Sequence, residues 1–407
     1  MSDLFWPGDE RAGSLLSDAA WLAAMESVEA AWLAALVEAG VAPAAAQHPV
    51  SGLIGADDVA SIATGAESGG NPAIGLVALL RRRLPVEPAR WLHRGLTSQD
   101  VIDTGLMLCL RDTLHRIAGE QRRQLQTLIM IIETHGDAAQ VGRTLTQHAV
   151  PITFGVTATG WLTGIADAAE AVAALLPTLP VQLGGAAGTL AASTELARLR
   201  GLDRPAEVSW RLIESTAARL GLAARPPWHV ARAPLTRVAD ALVGCTDACG
   251  HLAADVATLS RPEIGELAEG TGGGSSTMPH KRNPALSVLI RRAALAAPAQ
   301  ASVVHLAAAT AVDQRPDGAW HAEWAALRDL GRRSVTATAQ TTELLAGLRI
   351  DGERMAANLA AAEGVRAEQR SMIELVRGEP DPDYRGASTL FVHAAVRRGR
   401  RLLEETT

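Results

Sequence analysis

Lysine is almost absent from this chain: of 407 residues only Lys281 is one, and arginine fills every other basic position. Tyrosine occurs once, and cysteine and phenylalanine three times each. The cysteines, Cys109, Cys245 and Cys249, are too few for a disulfide framework, so a reducing cytoplasm is the expected home. Cys245 and Cys249 stand one helical turn apart and read as small core side chains, because no nearby His or Cys completes a metal site. Aromatic residues make up only 3%, and Val/Ile alternation is rare, which argues against a β-rich fold. Excess charge is lacking too: a net charge of −6 with 20% charged residues argues against a general nucleic-acid or membrane-surface binder and leaves room only for local basic patches. Apolar stretches such as Leu76–Leu80 end quickly in charge, here Arg81, Arg82 and Arg83, so no membrane span is expected. The acidic start MSDLFWPGDER has no basic segment followed by an apolar core, and no signal peptide is expected.

What is present is alanine and leucine at helical spacing. From Asp103 to about Ala139, residues Leu106, Leu110, Leu114, Ile117, Leu125, Leu128 and Ile132 recur three, four or eight apart, with Arg111, Arg122 and Arg123 between them. Further long helices are expected over Ile152–Leu176, Thr236–Leu259, Ala285–Ala311 and Glu323–Leu348. Helices of this length need long partners, so the expected fold is all-α with a helix bundle. Several are apolar on more than one face, which suggests that subunits share the bundle. Three divisions are expected: residues 1–102 with shorter, proline-broken helices, 103–349 with the long ones, and 350–407 as a small charged terminal segment.

Three polar segments interrupt these helices, each expected at a helix end or in a loop. In His93-Arg94-Gly95-Leu96-Thr97-Ser98-Gln99-Asp100, Thr97 and Asp100 have capping-box spacing. The helix start they mark also offers free N–H groups to a carboxylate. In Gly142-Arg143-Thr144-Leu145-Thr146-Gln147-His148-Ala149, Arg143 suits bidentate carboxylate binding, while Gln147 and His148 could equally be structural hydrogen-bonders. The third segment runs Gly272-Gly273-Gly274-Ser275-Ser276-Thr277-Met278-Pro279-His280-Lys281-Arg282-Asn283-Pro284. It is not a phosphate-binding P-loop, since Arg282 stands where Ser or Thr belongs. A glycine hinge beside a serine pair and the sole ammonium reads as a mobile loop that closes over an anionic substrate; a surface linker is the plainer alternative.

The run Gly274–Pro284 resembles the signature loop of the fumarase/aspartase superfamily, and the other two segments match its remaining active-site regions in order and spacing. The likeness covers nearly the whole chain. It implies an all-α, three-domain subunit whose long central helix bundle is shared in a homotetramer, with each active site built from three subunits. Within the superfamily, His93–Asp112, Val141–Gly155, Gln182–Ala191, Pro227-Trp228-His229 and Arg315–Trp324 resemble the cycloisomerases of 3-carboxy-cis,cis-muconate. These enzymes add a carboxylate across an alkene to form 4-carboxymuconolactone, in the β-ketoadipate route of protocatechuate breakdown. The implied substrate is a small di- or tricarboxylate, with no metal, organic cofactor, nucleic acid or membrane involved.

By the same resemblance Ser275 moves the proton at the carbon alpha to a carboxylate, and Lys281 stabilises its alkoxide. Lys281 and Asn283 steady the dianionic aci-carboxylate. Thr97, Ser98, Arg143, Gln147 and Arg315 hold substrate carboxylates, while His148, Ser276 and Met278 line the site, as His93 could. The chain departs from the pattern twice. Many superfamily lyases have His directly after the threonine equivalent to Thr144, where it protonates the leaving group, and this chain has Leu145. The segment after Leu348 is also shorter than the usual third domain. Two alternatives stay open: a C–N lyase of the adenylosuccinate lyase kind, releasing fumarate, and a non-catalytic helical scaffold.

Overall fold

The computed structural model describes residues 3–270, 272–274 and 276–405. Among the described residues the chain is all-α apart from two short strand pairs, and it divides into two compact units. The helices are α1 (Asp18–Glu38), α2 (Ala56–Gly69), α3 (Ala73–Arg83), α4 (Val86–Trp91), α5 (Ser98–His135), α6 (Phe154–Leu175), α7 (Ala191–Leu199) and α8 (Pro205–Leu220). After them come α9 (Ala233–Leu259), α10 (Ala285–Thr310), α11 (Gly318–Ala346), α12 (Gly352–Ala361), α13 (Ala367–Val376) and α14 (Ser388–Glu405).

The first unit comprises Met1–Arg116, Ala173–Asp240 and Ala299–Arg332. Its core is built around α1. Ser17 caps that helix by accepting the Ala20 N–H, which satisfies one donor of the first turn. Leu22, Met25, Val28, Trp32, Leu33 and Leu36 then fall on one buried face, at the three- and four-residue spacing of an amphipathic helix. They pack with Leu76 and Leu80 of α3 and with Leu212 and Ile213 of α8.

The second unit comprises Ile117–Val172, Ala241–Pro298 and Arg333–Thr407. Leu125, Leu128 and Ile132 of α5 are buried with Phe154, Trp161 and Ile165 of α6 and with Leu252 and Val256 of α9. Between α5 and α6 the chain forms an antiparallel hairpin, β1 (Ala139–Thr144) and β2 (Gln147–Thr153). This segment, expected at a helix end or in a loop, is instead a ladder with a bulge between Val141 and Arg143. A second pair joins β3 (Leu267–Ala268) to β4 (Arg349–Ile350).

Among the described residues two helices, α1 and α10, are long and apolar enough to cross a membrane by length and composition, which corrects the expectation that no segment reaches that length. In α1 the apolar residues are core. In α10 only 28% of the most apolar stretch is buried, and Val288, Leu295 and Leu306 are exposed.

Candidate active site

In the first unit the chain turns into α5 through Thr97. The Thr97 N–H donates to Asp100 Oδ2 at 3.0 Å and the Asp100 N–H to the Thr97 carbonyl, so half of the anticipated capping box is made. The Thr97 hydroxyl does not complete it. Its Oγ1 accepts from Arg315 Nη1 at 2.9 Å, bringing together two of the residues singled out by sequence. Ser98 opens α5 beside them and is half-buried.

Asp100 is itself fully buried. Its Oδ1 accepts from Gly184 N–H at 2.8 Å and Gln182 Nε2 at 3.1 Å, and its Oδ2 from Gly185 N–H at 2.9 Å. His229 Nε2 lies 3.2 Å from Oδ1. A side chain on Gly184 would reach within 2.5 Å of the His229 ring, so glycine is what lets this loop close on α5. One turn further along α5, Asp103 accepts from both Arg232 Nη atoms, at 2.6 and 3.1 Å, and from Trp320 Nε1 at 2.8 Å. Arg232 also donates to Glu323 at 2.6 Å and stacks 4.9 Å from the Trp228 ring centroid. Burial alone would drive the Arg232 guanidinium to give up its proton, but the two carboxylates outweigh it and raise its pKa. Burial pushes the Glu323 carboxyl up, against the pull of Arg232. This network ties the first turns of α11, just after Arg315, to α5 just after Thr97.

His93, in the same segment, has its Nδ1 2.5 Å from Glu29 Oε1.

In the second unit the β1–β2 hairpin turns through Leu145 and Thr146, both with positive φ, +48° and +69°. That is the backbone of a two-residue turn matching the strand twist, adopted here without glycine. Leu145 is 95% exposed at the tip. On the strands behind it Arg143 faces His148 across the ladder. Gln147 and His148 are exposed, and Gln147 Nε2 reaches Thr146 Oγ1 at 3.3 Å. The Arg143 guanidinium is engaged by buried Glu266, Nη2 to Oε1 at 2.6 Å and Nη1 to Oε2 at 3.2 Å. Gln140 Nε2 and Asn358 Nδ2 donate to the same carboxylate, each at 2.8 Å. Burial works to raise the Glu266 pKa, and these donors more than offset it, so the carboxyl sits below its usual range.

Glu266 opens the stretch leading to the glycine loop. Three residues on, the Glu269 carboxylate accepts from the Leu286 and Ser287 N–H groups and the Ser287 hydroxyl, placing negative charge at the first turn of α10. The loop's two ends are pinned by a bridge: Gly273 N–H donates to the Asn283 carbonyl at 2.7 Å, and the Asn283 N–H returns to Gly273 at 2.8 Å. Asn283 Nδ2 also donates to the Gly274 carbonyl at 3.2 Å. From this base Ser276, Met278 and Lys281 stand exposed, and among the described residues the Lys281 ammonium makes no ion pair. Ser275 lies outside the described residues.

The anticipated residues thus fall into two sets. Thr97, Ser98 and Arg315 belong to the first unit; Arg143, Gln147, His148, Ser276, Met278, Lys281 and Asn283 belong to the second. In the sequence Asp100 shows no role beyond capping, and Gln182, His229, Arg232, Glu266 and Glu323 show none at all. Trp228-His229 and Gln182 lay inside stretches already noted for resemblance, the one signal that could have found them. Among the described residues no group of three or more His, Cys, Asp or Glu is placed to hold a metal ion.

The family model described as Lyase matches residues 13–298. A nitrosuccinate lyase from Streptomyces davaonensis is 40% identical over 398 residues, 96% of this chain and 83% of that protein. A 3-carboxy-cis,cis-muconate cycloisomerase from Pseudomonas aeruginosa is 36% identical, covering 89% of this chain and 79% of its own length. The crystal structure of a 3-carboxy-cis,cis-muconate lactonizing enzyme from Pseudomonas putida superposes with a TM-score of 0.85 at 30% identity, over 96% of this chain and 97% of that one.

Proposed function

Since the chain belongs to the lyase family of the fumarase/aspartase superfamily, we propose that it is an enzyme that makes or breaks a bond beside a carboxylate-activated carbon, with a weakly basic oxyanion as the departing or entering group. The reaction we assign is lactonisation of 3-carboxy-cis,cis-muconate to 4-carboxymuconolactone, within aromatic-acid catabolism in the cytoplasm. One C–O bond forms at one alkene carbon, one C–H bond at its neighbour, and the π bond is consumed.

The carrying observation is Leu145, exposed at the hairpin tip where a proton donor would stand in a hydratase or amine lyase. A leaving carboxylate has a conjugate-acid pKa of about 4, against roughly 15.7 for hydroxide. At about 1.4 kcal/mol per unit, the gap bounds the acid assistance no longer needed at roughly 16 kcal/mol. Lactone opening, and by microscopic reversibility closure, can therefore proceed beside a leucine.

The proton at carbon still needs handling. Ser275 is the residue assigned to it, with Lys281 and Asn283 holding the charge that develops on the adjacent carboxylate. Thr97, Ser98, Gln147 and Arg315 receive the remaining carboxylates, lined by His148, Ser276 and Met278. Arg143 is assigned a carboxylate too, although its guanidinium already holds Glu266, so it would act through whichever edge that pair leaves open. The family resemblance brings with it a homotetramer with sites shared between subunits, and the apolar stripe left open on α10 supports it.

A second reading is favoured by the Streptomyces relative: β-elimination of nitrite from nitrosuccinate. Nitrite is likewise a weakly basic oxyanion, and Leu145 suits it equally. Parallel assays separate the two, one following loss of diene absorbance from 3-carboxy-cis,cis-muconate and the other nitrite release from 2-nitrosuccinate. Turnover of the first alone is expected; turnover of nitrosuccinate alone would transfer the assignment.

A further inference from the structure

Glu29 and His93 form a pair that the proposed reaction does not yet use. Glu29 lies on the core face of α1 and is fully buried. Its Oε1 is 2.5 Å from His93 Nδ1, and its Oε2 is buried and takes no hydrogen bond among the described residues. A buried carboxylate left with one hydrogen bond is costly unless an opposite charge compensates it, and the imidazole is the group in contact.

His93 is also held in an unusual backbone. Its φ is +65°, a left-handed conformation that is strained for an L-residue and persists only where the surroundings over-determine it. They do so here: Arg81 Nη2 donates to the Leu92 carbonyl at 2.9 Å on one side, and Trp32 Nε1 to the Arg94 carbonyl at 2.7 Å on the other. The imidazole is therefore fixed by backbone and side chain together. Its other nitrogen, Nε2, has no hydrogen-bond partner among the described residues, and the side chain keeps 18% exposure. It stands four residues before Thr97, whose hydroxyl meets Arg315.

We infer that Glu29 is a positioning residue, which holds the His93 imidazole by Nδ1–H so that Nε2–H is presented to a carboxylate of the substrate. The inference rests on the site reading above and adds a binding residue to it. With Nδ1–H given to Glu29, Nε2 carries a hydrogen only in the imidazolium, so the charged ring is the form that can donate to a substrate carboxylate. The charged groups facing the ring are Glu29 from α1, Arg81 from α3 and Asp100 from α5. Burial works against the imidazolium, but the Glu29 charge and hydrogen bond, with help from Asp100, more than offset burial and Arg81, and the pKa is raised.

The test uses Glu29→Gln, which keeps shape and removes charge, and a binding readout independent of turnover, with tricarballylate as probe. In the wild type, nuclear magnetic resonance should find His93 titrating above the ordinary histidine range, and tricarballylate affinity should fall as pH rises through that value. In Glu29→Gln both the titration and the affinity profile should move together to lower pH. His93→Gln should weaken tricarballylate binding at least about tenfold, the scale of one charge-assisted hydrogen bond, and it decides the matter if Glu29→Gln does not fold. An unmoved titration, an affinity profile that stays put while the titration moves, unchanged binding by His93→Gln, or no tricarballylate binding by wild type would each overturn the inference. Failure of the lactonisation assay alone would not, since none of these readouts depends on it.

Discussion

Arg143 Nη2 lies 2.6 Å from Glu266 Oε1, a pair that fastens the hairpin carrying Leu145 to the residue just before β3, on the stretch that leads into the glycine loop. Glu266 is fully buried, and Gln140 and Asn358 complete its donor set. Replacing it leaves a mostly buried guanidinium without its counter-charge, so Glu266→Gln is expected to cost about 3 kcal/mol, read from the denaturant midpoint. The pH dependence has a definite sign. The Glu266 carboxyl is held below its ordinary 4.5, so its contribution is fully present above that value and fades as pH falls through the depressed one. The variant should lose that part of the acid limb.

At the base of the loop, a Cβ on Gly273 would stand 2.9 Å from the Ala285 Cβ, which is fixed to the first turn of α10. Gly273→Ala must therefore displace the Gly273–Asn283 bridge. Turnover should fall roughly tenfold to a hundredfold, as expected for a misplaced catalytic group, while the melting temperature changes little. An unaltered rate would mean that the bridge does not position the loop.

Much of this fold was legible in the sequence. Alanine and leucine at helical spacing marked α10 as Ala285–Ala311 against the observed Ala285–Thr310, and α6 as Ile152–Leu176 against Phe154–Leu175. The hairpin was not legible. Its turn is Leu145-Thr146 rather than Asn-Gly, and the apolar alternation of its strands is confined to Ala139 and Val141 and to Val150 and Ile152, interrupted by Gly142 and Pro151 and flanked by Arg143, Thr144, Gln147 and His148. The site divides similarly. Residues inside the three motifs could be named, but their buried partners could not: Glu266 is 123 positions from Arg143 and Glu29 is 64 from His93, separations across which no local pattern reaches.

Val288, Leu295 and Leu306 are exposed on α10 at 55%, 81% and 64%. They stand seven and eleven residues apart, so they share one face of the helix. An apolar stripe of this kind needs covering, and sedimentation velocity is expected to give a tetramer. Leu295→Arg should shift it toward smaller species with loss of activity. A wild-type chain that sediments as an active monomer would remove both the tetramer and the shared site.

Ser275→Ala is expected to lower turnover at least about a hundredfold, the scale of acid–base catalysis, with assembly intact. Near-normal lactonisation by that variant would take away the role assigned to Ser275.

The claim that most needs testing is that the reaction proceeds without a proton donor at position 145. The direct measurement compares two activities of the wild-type enzyme: loss of diene absorbance from 3-carboxy-cis,cis-muconate, and hydration of fumarate, whose reverse must expel hydroxide. The account predicts lactonisation with no measurable hydration. Brisk hydration of fumarate would contradict it.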